Sequence, residues 1–242
     1  MIKGIYTAVS AMIAGLNRQV LKSHNMTNLN TPGFKQVISS LEEFKASNTQ
    51  AMQTAPLRQA VNPGQGVMTT ETRSVFTNGA LLATDQPLDL AIQGDGFFRI
   101  MTPDGERYTR DGRFNRDSNG SLVTVDGNFV LDPSGAPIKI SNGQPTVDAS
   151  GGIFIDDTLV THLGIAEFAQ PQEQLQMDSG NLFRALEPPL QGASNTSIHQ
   201  GSLEMSNVNL ADMMIGSGTY EAAQKMVQIQ DELLGKTINS LR

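Results

Sequence analysis

At 242 residues with a net charge of −7, the chain has room for one core domain with extensions, domains running to roughly 100–150 residues, and lacks the Lys and Arg excess that drives counterion release on nucleic acid. It contains no Cys, which removes disulfides and Cys-based metal or nucleophile chemistry, and no run of about 18 apolar residues, which removes a spanning helix. With 23 Gly, 11 Pro and 38% hydrophobic residues, the composition is that of a turn-rich β protein and not of a disordered chain.

Ile2, Ile5, Val9, Met12 and Leu16 are spaced three and four residues apart, the stripe of a helix that packs against a partner. The stripe runs past the point where a signal peptide would be cleaved, so residues 1–35 read as a retained helical segment. "NMTNLNTPGFK" ends it. Asparagine amides compete for backbone groups, and Pro32 with Gly33 forces a turn.

Residues 36–75 are polar and weakly periodic, an extended connector with one or two strands. From about Leu88 the runs "LDLAIQGDGFFRI", "GERYTRDGRFNRD", "GSLVTVDGNFVLD" and "APIKI" alternate and are separated by Asp-Gly or Asn-Gly turns. The pattern continues through "GGIFI", "LGIAEF" and "GNLFRA", giving a β domain over residues 76–200. Phe97, Phe98 and Phe114, beside glycines in strands, read as core. The Asp-Gly pairs at Asp95, Asp104, Asp111 and Asp126 are too irregular for a solenoid and read as hairpin turns.

In residues 201–242, Met213, Tyr220, Val227, Leu234 and Leu241 recur every seven positions, a second helical stripe. Gly216, Gln230 and Thr237 weaken its other row, which suits a multi-helix assembly better than an isolated zipper. Residues 1–35 hold Lys3, Arg18, Lys22 and Lys35 and no acid, whereas the C-terminal stretch is acidic on balance, so the two ends attract. The expected fold is therefore α+β: N- and C-terminal helices paired as a coiled-coil-like stalk, a central all-β domain and an extended connector.

Catalytic chemistry finds little support. Asn115, Asp117, Asn119, Gly120, Leu122 and Asp126 partly fit a calcium-loop template, but their flanks alternate like strands and the closing residue is Asp, so a hairpin cornered at Asn119 and Gly120 is the better reading. His24, His162 and His199 form no ligand pair, Asp156 and Asp157 sit together in a turn, and no nucleophile elbow, P-loop or dinucleotide fingerprint is present. No cofactor or metal is expected.

The terminal helix ending in "NMTNLNTPGFK", then "GDGFFRI" and "YTRDGRFNRDSNGSLVT", and finally "GSLEMSNVNLADMM" resemble, in this order, the bacterial flagellar basal-body rod and hook proteins. The length resembles that of a rod subunit more than the longer hook protein, and "IYTAVSAM" with "GNLFRA" is most similar to the proximal rod member, the distal one next.

The resemblance implies a structural subunit of a helical drive shaft that transmits torque from motor to hook. It also implies export without a cleaved signal through the flagellar type III apparatus, and a place in the rod within the periplasm. Partners would be copies of itself, other rod and hook proteins and the export apparatus, without nucleic acid or membrane insertion. Ile5, Val9, Met12, Leu16, Met213, Tyr220, Val227, Leu234 and Leu241 would form the assembly interface. Asn25, Asn28, Thr31, Pro32, Gly33 and Phe34 would turn the chain toward the β domain. Ser206, Asn207, Val208 and Asn209 would mark its return, with Ser206 or Asn207 capping the last helix. The rival reading is a secreted β-rich binding module or adhesin on an intramolecular helical stalk.

Overall fold

Helix α1 spans Ile2–Thr27, its stripe of apolar residues and interspersed alanines forming seven turns before the Asn-Thr-Pro-Gly sequence stops it. The computed structural model describes residues 2–43, 67–140, 143–190, 196–210 and 225. The chain divides into two compact units, the first made of residues 1–26, 37–73 and 209–242, the second of residues 27–36 and 74–208.

In the first unit, α1 is accompanied by β1 (Val37–Glu43) and β2 (Val67–Ser74), which pair with each other. Asn25 is buried, and its amide takes both backbone groups of Val37, donating to the carbonyl at 2.8 Å and accepting from the N–H at 2.9 Å. A side chain thus acts here as a strand partner and ties the end of α1 to the start of β1.

The second unit is built from β3 (Leu81–Ala83), β4 (Leu90–Gln93), β5 (Gly96–Thr102), β6 (Gly105–Thr109), β7 (Phe114–Arg116), β8 (Leu122–Thr124), β9 (Phe129–Val130) and β10 (Pro145–Val147). It continues with β11 (Gly152–Ile155), β12 (Thr158–His162), β13 (Ile165–Glu167), the four-residue helix α2 (Pro171–Gln174), β14 (Leu175–Met177), β15 (Leu182–Ala185), β16 (Ser197–Gln200) and β17 (Ser202–Glu204).

The largest sheet runs β14-β15-β6-β5-β9-β8-β7, with β13 pairing the first half of β5 and β9 the second. A smaller sheet runs β10-β11-β12. Two antiparallel ladders join distant parts of the chain: β4 with β16, Ile92 opposite Ile198, and β3 with β17, Leu82 opposite Leu203. The beginning and end of the unit are therefore stitched together.

Strand alternation explains two separate cores. Phe97 and Phe98 are neighbours in β5 and point to opposite faces. Phe98 meets the Phe114 ring edge-on at 5.0 Å among Leu90, Ile100, Val130 and Ile153, whereas Phe97 packs with Tyr108, Phe168 and Phe183. All three expected core phenylalanines are at most 3% exposed. The loop weighed against a calcium site is a hairpin turn between β7 and β8, in which Asp117 Oδ1 accepts the N–H groups of Asn119 and Ser121.

The expected α+β fold with paired terminal helices is corrected. The described residues form seventeen strands and two helices, one of them four residues long, and no stalk of paired terminal helices is present among them. Alternation, not a heptad repeat, governs most of the chain. Residues 202–204, ahead of the Ser206 and Asn207 segment, form a strand, with Leu203 buried against the unit while β17 pairs with β3. The heptad positions Met213, Tyr220, Val227, Leu234 and Leu241 lie outside the described residues, as does residues 44–66 of the connector.

Candidate functional site

The second unit receives the chain after α1 and releases it after β17 at one place. Asn28 and Thr31 open the entry: the Thr31 N–H donates to the Asn28 carbonyl at 3.1 Å and the Thr31 hydroxyl to Asn28 Oδ1 at 3.2 Å. Pro32 and Gly33 then turn the backbone. Gly33 has φ +68°, and a Cβ there would stand 2.3 Å from the Arg110 carbonyl carbon, so both conformation and space require glycine. Phe34, 1% exposed, anchors the segment.

From Pro32 to Gln36 nearly every residue is tied to a distant one. The Pro32 carbonyl accepts from the Asn181 amide at 2.7 Å, and the Gly33 N–H donates to the Glu204 carbonyl at 2.7 Å. The Phe34 carbonyl accepts the Asn207 N–H at 3.4 Å, and the Gln36 N–H donates to Asn207 Oδ1 at 2.7 Å. The Asn207 amide NH2 reaches the carbonyls of Val75 and Thr77 at 2.7 and 3.0 Å. Asn207 is thus a clamp between three segments. Ser206 Oγ accepts the Val208 N–H at 3.2 Å, and Val208 is buried.

Beneath this strap lies a buried charge cluster. Glu204 accepts from Lys35 Nζ at 2.7 Å and the Gly79 N–H at 2.8 Å through one oxygen, and from Arg110 Nη1 at 3.2 Å through the other. The side chains of all three charged residues are at most 1% exposed. Arg110 also donates to the Gly94 carbonyl at 2.6 Å and lies over the Phe97 ring, 4.8 Å from its centroid.

Burial lowers the Lys35 pKa from 10.5, with Glu204 opposing and Arg110 adding to the fall. It lowers that of Arg110 as well, again against Glu204. One carboxylate therefore holds two cations that burial disfavours. Removing a member of such a group costs more than surface ion pairs contribute. The cluster spends its charges on one another and presents none to solvent, so its chemistry is that of a fastener.

The motif residues Thr31, Pro32, Gly33 and Phe34 are brought together with Ser206, Asn207 and Val208. Asn25 and Asn209 belong to the other unit. Among the assembly positions, Ile5 lies within α1, Met12 is half-buried, and Val9 and Leu16 are 42% and 46% exposed. Sequence reasoning missed Lys35, Arg110, Asn181 and Glu204. Each sits inside a quoted motif, and the available signal was a lone charge of opposite sign in the entry and return segments, Lys35 after Phe34 and Glu204 after Leu203.

Residues 91–163 match the family model of the flagellar hook protein FlgE/F/G D1 domain, and residues 199–241, which include Glu204 and Asn207, that of the flagellar basal body rod FlgEFG protein C-terminal region. The flagellar basal-body rod protein FlgF of Mesorhizobium japonicum is 34% identical over 208 residues, 85% of this chain and 82% of that protein. FlgG of Borreliella burgdorferi is 30% identical over 267 residues, covering both chains entirely, and FlgF of Rhizobium meliloti is 31% identical over 252 residues, 98% and 97% of the two chains. With strands, clamp and both chain ends inside these matches, the chain belongs to the family of flagellar basal-body rod proteins.

Proposed function

We propose that the chain enters the flagellar rod by packing the exposed apolar side chains of α1 against neighbouring subunits. Its role is structural: it is a rod subunit of the flagellar basal body, assembled with other basal-body proteins, and not an enzyme. The carrying observation is the stripe Val9, Ile13, Leu16 and Val20, between 42% and 66% exposed and spaced along one face of a 26-residue helix. Covering the exposed half of each would contribute about 1 kcal/mol, which many copies multiply.

Ile5 and Met12 are further assembly positions, supported by their three- and four-residue spacing from Val9 and Leu16. In the C-terminal stretch Met213, Tyr220, Val227, Leu234 and Leu241 supply further assembly positions, supported by their seven-residue recurrence. Head-to-tail contacts that do not close produce a filament, and the clamp at Lys35, Arg110 and Glu204 stiffens the β unit so that torque passes through it. The neighbours are copies of the chain and other rod and hook proteins. The subunit reaches its place in the periplasmic part of the rod through the flagellar type III apparatus, with α1 retained, a reading supported by α1 running as one helix from Ile2 to Thr27, past the point where a signal peptide would be cleaved.

Val9→Asp and Leu16→Asp test the interface. Each is expected to abolish rod assembly and swimming while leaving thermal unfolding of the β unit unchanged. Normal swimming in both variants would remove α1 from the interface.

A further inference from the structure

We propose that residues 196–208 are a closing strap that keeps the β unit open until the end of the chain is in place. The inference rests on where the partners lie in sequence. β5 and β6 are joined by a tight turn, with Thr102 opposite Gly105, and form locally. Among the described residues β4 pairs within a sheet only with β16, and β3 only with β17, each more than a hundred residues later. The clamp is longer still: Lys35 and Glu204 are 169 residues apart, and Gln36 and Asn207 171. Closing such loops is costly before the contacts that reward it have formed, so non-local ladders come late.

Until Glu204 arrives, Lys35 and Arg110 have no counter-charge in the clamp, and their burial is opposed by desolvation. Until Ile198 and Leu203 arrive, the core lacks two of its buried side chains and β3 and β4 lack their ladders. A chain made from its N-terminus onward therefore keeps Phe34, Lys35, β3 and β4 unlocked until residue 208 has followed. Resting on the export reading above, this delay is what a chain needs if it must pass an export channel before folding.

Pulsed amide exchange during refolding of the full-length purified protein tests the strap. Amides of β5, β6 and β9 are expected to gain protection first, and those of β3, β4, β16 and β17 last and together. In the native protein, the β3, β4, β16 and β17 amides are expected to exchange together and about a hundredfold faster than those of β5 and β6, through an opening that frees the strap while β5 and β6 stay closed. Simultaneous protection of both groups on refolding, or equal native-state exchange in both, overturns the proposal. Refolding is read in purified protein, so its outcome stands apart from the export route, which secretion from cells lacking the type III apparatus reads separately.

Discussion

Glu204 accepts hydrogen bonds from Lys35, Arg110 and Gly79, and neutralising it leaves two cations buried without an anion in hydrogen-bonding contact. Glu204→Gln is expected to lower unfolding free energy by about 3–5 kcal/mol, read as a shift of the denaturant midpoint at constant slope. Replacing Lys35, Arg110 and Glu204 together by Met should cost less than Glu204→Gln alone; the reverse order would show that the cluster is not governed by desolvation. Tyr108 governs the alkaline limit. Burial, with the Glu106 carboxylate beside it, raises its pKa from 10.0 to about 12. The unfolded chain loses this proton first, so the stability that the neutral phenol contributes is complete below pH 10.0 and is lost as pH rises towards about 12. Lys35, with its lowered pKa, acts in the opposite sense up to 10.5, so the comparison is with Tyr108→Phe, whose alkaline unfolding midpoint should lie higher. At this scale the turn residues Asn28 to Phe34 were legible because Pro and Gly act locally. Lys35 was visible only as one cation in a basic segment, since its partner is 169 residues away.

Three hairpin corners share one local design. At Asp117, Asp132 and Asp148, Oδ1 accepts the N–H groups two and four residues on, and the glycine three residues on has a positive φ of 81°, 86° and 84°. This is a type I turn closed by a left-handed residue, the usual three-residue hairpin loop. Ser134 and Ser150 hydroxyls, with backbone N–H groups, lower the pKa of Asp132 and Asp148 below 3.8. Their contribution is present above that value and disappears as pH falls through the lowered one. Asp148→Ala should cost about 1 kcal/mol at neutral pH and flatten the stability profile below 3.8, checked by urea titration across acidic pH. The Asp-Gly pairs that drew notice in the sequence divide differently: Asp104 and Asp126 lie in the β5–β6 and β8–β9 turns, while the Asp111 carboxylate binds the Arg113 side chain. Helix α1 and the meander were legible because their periods are local. The ladders β3–β17 and β4–β16 were not, because nothing in a short strand states which distant strand it meets.

At the scale of the molecule, a β unit closed by its own ends is joined in sequence to a helix whose apolar stripe faces solvent. Apolar stripes at both ends suggested terminal helices paired as a coiled-coil-like stalk. The described structure instead leaves Val9, Ile13, Leu16 and Val20 exposed, which suits a subunit completed by its neighbours. Family membership was legible from motifs distributed along the chain, whereas the clamp beneath them was not, since it exists only when three distant segments meet. The chain has no Cys, so a single Leu16→Cys substitution introduces its sole thiol. The most direct measurement is maleimide labelling of that thiol in purified protein and in isolated basal bodies, with Asp157→Cys on the β11–β12 turn as reference. Rapid labelling in the free protein and protection in the basal body, relative to the reference, is the predicted result. Equal labelling of Leu16→Cys in both states would contradict assembly through α1.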